Sequence, residues 1–282
     1  MPPRRNPTLR QRRLGAELRK MREAAGLTTP QLCKALGIDR TQVSQMESGK
    51  VGVSSERLRS FAAACKCMNQ PLVDALEGML HDRSKGWWEE YRGTIPDAFL
   101  ENAELEKSSR ELMIWVLTHI PGPCQTINYA SAVFGRLIPP LPRHELEART
   151  AFRVQRKNDL RRDQKSLTSF IYESALWTRF GGSQVLKEQL QSLLEDSEQP
   201  WMTIRVVPFD VSTFPGAVEN LTYAFGATPE LDTVELESSR GSIYLDAVSE
   251  LTSYRSIFYR TEASALNEND SRELIHKIAR NL

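Results

Sequence analysis

TTPQLCKALGIDRTQVSQMESGK, residues Thr28 to Lys50, decides the reading of this chain, because it holds two short helical patterns separated by a glycine. In the first, Leu32, Cys33 and Leu36 fall on one helical face, and Gly37 follows where a helix must stop and a positive φ is needed. Ile38 is an apolar plug at the turn. Asp39 stands at the N-cap position of the second pattern, where its carboxylate can accept a hydrogen bond from the first-turn amides, and Val43 and Met46 restore the apolar face. Arg40, Thr41, Gln42, Ser44 and Gln45 are left facing outward, and none of them is needed to pack the unit. Their chemistry is that of groove reading: Arg can fork onto guanine, Gln can pair with adenine, and Ser or Thr can serve a base or a phosphate. The spacing predicts that Arg40, Gln42 and Gln45 contact base edges of double-stranded DNA with Thr41 beside them, while Thr28, Thr29, Ser44 and Lys50 lie at or near phosphates.

With LGAELRKMREAAGLT as an opening helix, IDRTQVSQMESGK as the recognition helix and SSERLRSFAAAC as the fourth, residues 14–80 resemble the Cro and lambda-repressor-like (XRE) family. The sequence departs from that pattern at Thr29, where the family usually has a phosphate-contacting Gln, and in VGV, which lacks the usual proline. The resemblance implies an all-α helix-turn-helix domain. A single such head covers only a few base pairs, so a homodimer on a pseudo-palindromic operator is expected.

At 282 residues with 40% hydrophobic content the chain can bury two cores. Its formal charge of +1 conceals an asymmetry. Residues 1–83 carry 15 Lys and Arg against 8 Asp and Glu, whereas the remaining 199 residues carry 22 against 28. A basic head on an acidic body fits a DNA-binding domain joined to a domain with another task. The first thirteen residues, MPPRRNPTLRQRR, hold five arginines, three prolines and no acid, which reads as an extended basic arm. Arg4, Arg5, Arg10, Arg12 and Arg13 are candidate DNA contacts; a solvated tail without specific contacts is the other reading. No apolar run follows these charges and no stretch approaches a membrane span, so a cytoplasmic protein, nucleoid-associated when bound to DNA and without a membrane partner, is expected.

The four cysteines, Cys33, Cys65, Cys67 and Cys124, form no CxxC, and no metal site or cofactor is expected. Cys33 is expected to be a small buried thiol. A catalytic site needs converging reactive groups, yet His81, His119, His144 and His276 lie in unrelated contexts and no GxSxG, HExxH or P-loop occurs. The chain therefore does not read as an enzyme. Gly181 and Gly182 precede a helical pattern and could present amides to an anion, although a loop that lets the helix begin is the simpler reading.

A linker is expected at residues 81–86, HDRSKG, with a second domain over 87–282. Trp87, Trp88 and Tyr91 open it as a candidate domain-interface or partner surface. A helix-like segment from Leu105 to Trp115 and an extended Val116–Ile120 precede the Pro121-Gly122-Pro123 breaker. Further helical patterns follow in HELEARTAFRVQRKNDLRRD and in GSQVLKEQLQSLLED, where Leu186, Leu190, Leu193 and Leu194 trace a stripe. SFIYES, WMTIRVVPF, NLTYAFGA, DTVELES and GSIYLD read as strands. Two helical patterns close the chain, from Leu245 to Phe258 and in LNENDSRELIHKIARNL. The expected body is an α+β domain with a small mixed or antiparallel sheet of three to five strands.

The series WWEEY, LEKSSRELMIW…PGPCQTINYA, RVQRK, YESALWTRFGGSQVLKEQLQSLLE, IRVVP and RTEASALNENDSRELIHKI resembles the C-terminal domain of WhiJ-like helix-turn-helix regulators of actinobacteria, numerous in Streptomyces. The resemblance runs from Trp87 to Ile278. Pro123, Cys124 and Lys157 depart from the family pattern. It implies a regulator, read as a repressor, of development or secondary metabolism, often encoded beside a small partner protein; an antitoxin-like protein that neutralises such a partner is the alternative.

Overall fold

The computed structural model describes residues 6–81, 86–214, 219–238 and 241–282. The chain divides into two compact units, residues 1–87 with Ala227–Leu231, and Trp88–Gly226 with Asp232–Leu282.

The head is built from α1 (Leu9–Ala24), α2 (Thr29–Leu36), α3 (Arg40–Glu47), α4 (Ser55–Ala64) and α5 (Gln70–His81). Each start has a chemical cause. Thr8 caps α1 with Gln11 bonding back to its amide at 3.0 Å, and Ser54 caps α4 by accepting from the Arg57 amide. α2 ends at Gly37 with φ 63°, as its sequence position requires. Leu18, Leu32, Val43, Leu58, Phe61 and Leu76 are fully buried together. Each contributes about 1.5–3 kcal/mol relative to exposure. Ile38 packs partly buried on this core, and Cys33 is half-buried rather than buried.

The arm is shorter than expected. Helix α1 begins at Leu9, so Arg10, Arg12 and Arg13 are helical, and Arg4 and Arg5 lie outside the described residues. Arg13 is buried, pairs with buried Glu17 at 2.7 Å and donates to the Glu230 carbonyl. Its alignment with Glu17 at i, i+4 gives this arginine a packing role. Of the linker, residues 82–85 also lie outside the described residues.

The body contains α6 (Asp97–Ser108), β1 (Glu111–Val116), α7 (Ile127–Phe134), α8 (Arg143–Asp163), β2 (Ser166–Tyr172), α9 (Glu173–Trp177), α10 (Ser183–Asp196), β3 (Met202–Val207), β4 (Leu221–Phe225), β5 (Thr233–Ser238), β6 (Gly241–Leu245), α11 (Val248–Ser264) and α12 (Glu268–Arg280). Its sheet is six-stranded and mixed, in the order β3-β2-β1-β4-β5-β6. The first three strands are parallel; β4, β5 and β6 continue antiparallel from β1. Two expectations are corrected. The segment read as one helix from Leu105 to Trp115 is the end of α6 followed by β1, and the sheet exceeds five strands by one. LMIWV is buried on both faces of the sheet, so the period-two signal of a strand is lost.

One sheet face is apolar: Trp115, Phe170, Val207, Leu221, Tyr223 and Val234 pack against Leu251 and Phe258 of α11. The opposite face is apolar over β1 to β3, with Leu112, Ile114, Leu167 and Ile204 buried, but polar over β5 and β6. There Glu235 accepts from Ser242 Oγ at 2.6 Å, and Tyr244 donates to Asn102 of α6 at 2.5 Å. Lys157 of α8 ties to the fully buried Asp196 of α10 at 2.6 Å, and Arg161 donates to the same carboxylate. Among the described residues no helix is long and apolar enough to cross a membrane.

Candidate nucleic-acid interface

The capping of α3 sets the outer face of the helix-turn-helix. Asp39 Oδ1 accepts from the Gln42 amide at 2.8 Å, and Gln42 Oε1 accepts from the Asp39 amide at 3.3 Å, a reciprocal capping box. Val43 and Met46 point into the core, while Arg40, Thr41, Gln42 and Ser44 are exposed and Gln45 is half-buried. The outward set read from the sequence is thus brought onto one face. Gln42 has a structural task that the outward pattern did not disclose, since its carboxamide oxygen is already bonded to the cap.

The flanks carry the residues assigned to phosphates. Thr28, Ser44 and Lys50 are exposed and Thr29 is half-buried at the first turn of α2. Gln31 Oε1 accepts from both the amide and the hydroxyl of Thr28, at 2.8 and 2.7 Å, which fixes the entry to α2. First-turn amides of a helix attract anions, and Lys50 adds a full charge beyond α3.

Three features that hold α3 in place were not found by sequence reasoning. Arg22 of α1 forks onto Glu47 at the end of α3, with Nε–Oε1 2.6 Å and Nη2–Oε2 3.1 Å, and also donates to the Leu27 carbonyl. A Cβ on Gly15 would lie 2.6 Å from the Glu47 carbonyl oxygen, so α1 and α3 touch backbone to backbone there. Gly49, at φ 69°, ends the segment, and its own Cβ would lie 2.5 Å from the Gln11 carbonyl oxygen. Both glycines were visible in the sequence; only the crossing of the helices explains them.

The remaining candidates are placed elsewhere. Trp87 is half-buried and Trp88 is buried, and Tyr91 meets Phe152 edge-on at 5.1 Å inside the body. Tyr91 is therefore part of body packing. Gly181 and Gly182 have φ 76° and 89°, and Gly182 is the N-cap of α10, as a loop that starts a helix requires. Burial pushes the Cys65 thiol up to about 11 and the Cys124 thiol up to about 12, so neither is a ready nucleophile.

Residues 13–76 match a family described as a helix-turn-helix domain, and residues 99–277 match one described as a domain of unknown function, DUF5753. The second match spans more than half of the chain. The chain belongs to the DUF5753 family. No curated protein and no solved structure matches it. The helix-turn-helix match and the geometry of α2 and α3 agree on a DNA-binding head in this DUF5753 protein.

Proposed function

We propose that this DUF5753 protein is a sequence-specific transcriptional regulator that represses its targets as a homodimer on a pseudo-palindromic operator. The observation that carries this reading is the outer face of α3, where Arg40, Thr41, Gln42 and Ser44 are exposed on a helix whose other face is buried. Arg40 and Gln45, with the amide nitrogen of Gln42, read base edges; Thr28, Thr29, Ser44 and Lys50 set the backbone register. The body binds a small molecule or a small partner protein and alters DNA affinity through the difference in its affinity for two states of the dimer. The serial motifs that resemble WhiJ-like regulators support a role in development or secondary metabolism. Trp87 and Trp88, at the boundary of the two units, are proposed to transmit that change.

Selection from a pool of random duplexes with the full-length protein tests the reading. A pseudo-palindrome with half-sites about 34 Å apart, or a multiple of that, is expected, bound by a dimer in native mass measurement. Enrichment of no sequence, or of one half-site bound by a monomer, contradicts it.

A further inference from the structure

The sheet of the body reverses its strand order beside β1. The chain passes from β1 to β2 on one side and from β3 to β4 on the other, and because β4 runs antiparallel to β1 its amino end lies beside the carboxyl end of β1. Several polar groups of this chain meet there. Asn220, at the amino end of β4, accepts from the Leu117 amide at 2.9 Å through Oδ1 and donates through Nδ2 to Glu237 Oε2 at 3.0 Å. His119 Nε2 lies 3.4 Å from the same Oε2, and its Nδ1 is 3.2 Å from the Ile120 carbonyl. Both contacts to Glu237 use one carboxylate oxygen, and the residue is half exposed.

Arg153 of α8 approaches from the helical side. Its guanidinium sits 5.1 Å over the Phe134 ring and against Gly122, where any Cβ would overlap it. Its Nε is buried without a hydrogen-bond partner, and no carboxylate lies within ion-pairing distance of it among the described residues. Its neighbour one turn on, Arg156, is by contrast closed onto Glu106. In the loop that carries Gly122, Gln125 Oε1 is likewise buried without a partner. Arg153 is half-buried, and a guanidinium that no carboxylate closes onto, with its Nε shut off from water, is accounted for by a site for an oxyanion.

We propose that the polar cluster at the carboxyl end of β1 binds a small acid, Arg153 holding its oxyanion and Glu237 accepting from a hydroxyl or amine on the same molecule. The opposed charges favour a hydroxy acid or zwitterion over a simple anion. Asn220 and His119 orient Glu237, and Gly122 leaves room for the guanidinium. This site rests on the reading of the body as a sensor and gives it a ligand class.

Thermal shift and calorimetry of the full-length protein test it with L-serine, L-lactate, phosphoserine and glycerol 3-phosphate, and with acetate, inorganic phosphate and glycerol as single-function controls. At least one two-function probe is expected to raise Tm by several degrees at millimolar concentration, at least tenfold more tightly than its single-function controls. Whether the carboxylate or the phosphate arm binds identifies the oxyanion. Arg153→Met is expected to abolish binding while leaving the ligand-free Tm unchanged or higher, because no ion pair is lost; Gly122→Ala, which displaces the guanidinium, and Glu237→Gln each weaken binding about tenfold. Binding that leaves DNA affinity unchanged keeps the site and removes the sensor reading. Failure of all four probes, binding retained by Arg153→Met, or a large fall in its ligand-free Tm overturns the proposal.

Discussion

The head and the body place their polar chemistry on opposite sides of their own surfaces. In the head the interior is aliphatic and aromatic apart from the Arg13–Glu17 pair, and the polar residues of α3 stand outside it. In the body several charged and polar groups lie within the packed layers: Glu106 with Arg156, Asp196 with Lys157, Glu235 with Ser242. A domain that reads a groove needs its donors at the surface. A domain that encloses charged groups must satisfy each of them.

The largest effect that sharpens this contrast is expected at Asp196. Replacing it by Ala leaves the largely buried Lys157 ammonium without its carboxylate, and breaking a buried pair costs about 3–5 kcal/mol. Denaturant unfolding followed by body tryptophan fluorescence checks this; a cost below about 1 kcal/mol would show that the buried charges of the body are as dispensable as surface ones.

Next is Gly15→Ala. The added methyl is forced onto the Met46 and Glu47 carbonyls, and overpacking of this kind costs about 1–3 kcal/mol. The head should lose stability and DNA affinity together, with the unfolding of the body unchanged by hydrogen exchange. A head that tolerates alanine at position 15 would mean that α1 and α3 are less closely held than the backbone contact indicates.

The smallest effect is expected from acid. Burial works to raise the Glu237 carboxyl, but the hydrogen bond and charge of His119 outweigh it and, with Asn220, bring it down to about 2. A depressed folded value contributes stability that is complete above the ordinary carboxylate range near 4.5 and is lost as pH falls from there towards 2. For a half-exposed group screened by solvent the contribution is under about 1 kcal/mol. The Tm of Glu237→Gln should therefore match the parent at pH 2 and fall below it at pH 6; a difference that grows towards acid contradicts the sign.

The legibility of the two units in the sequence follows the same division. The helix-turn-helix could be read because Leu32, Leu36, Val43 and Met46 repeat at helical spacing around Gly37, with Asp39 as a cap, and all of that is local. Thr8 and Gln11 also spelled a capping box, but the prolines and arginines around them suggested an arm, so the early start of α1 was missed. The five strand patterns from SFIYES to GSIYLD could be read from their β-branched and aromatic residues and bounding turns, whereas LMIWV could not, being apolar throughout. The polar cluster at the carboxyl end of β1 has no local signature. His119, Arg153, Asn220 and Glu237 are separated by up to 118 positions and are brought together only by the strand order.

The central claim, that the exposed face of α3 reads sequence while its flanks hold the backbone, is tested most directly by measuring the affinities of the full-length protein, Arg40→Ala and Lys50→Ala for the selected operator and for a scrambled duplex across a salt titration. Arg40→Ala should lose about 1–3 kcal/mol on the operator and little on the scrambled duplex, and Lys50→Ala should weaken both alike and lower the salt slope by about one. Equal losses on both duplexes for Arg40→Ala, or no loss on either, would contradict the account.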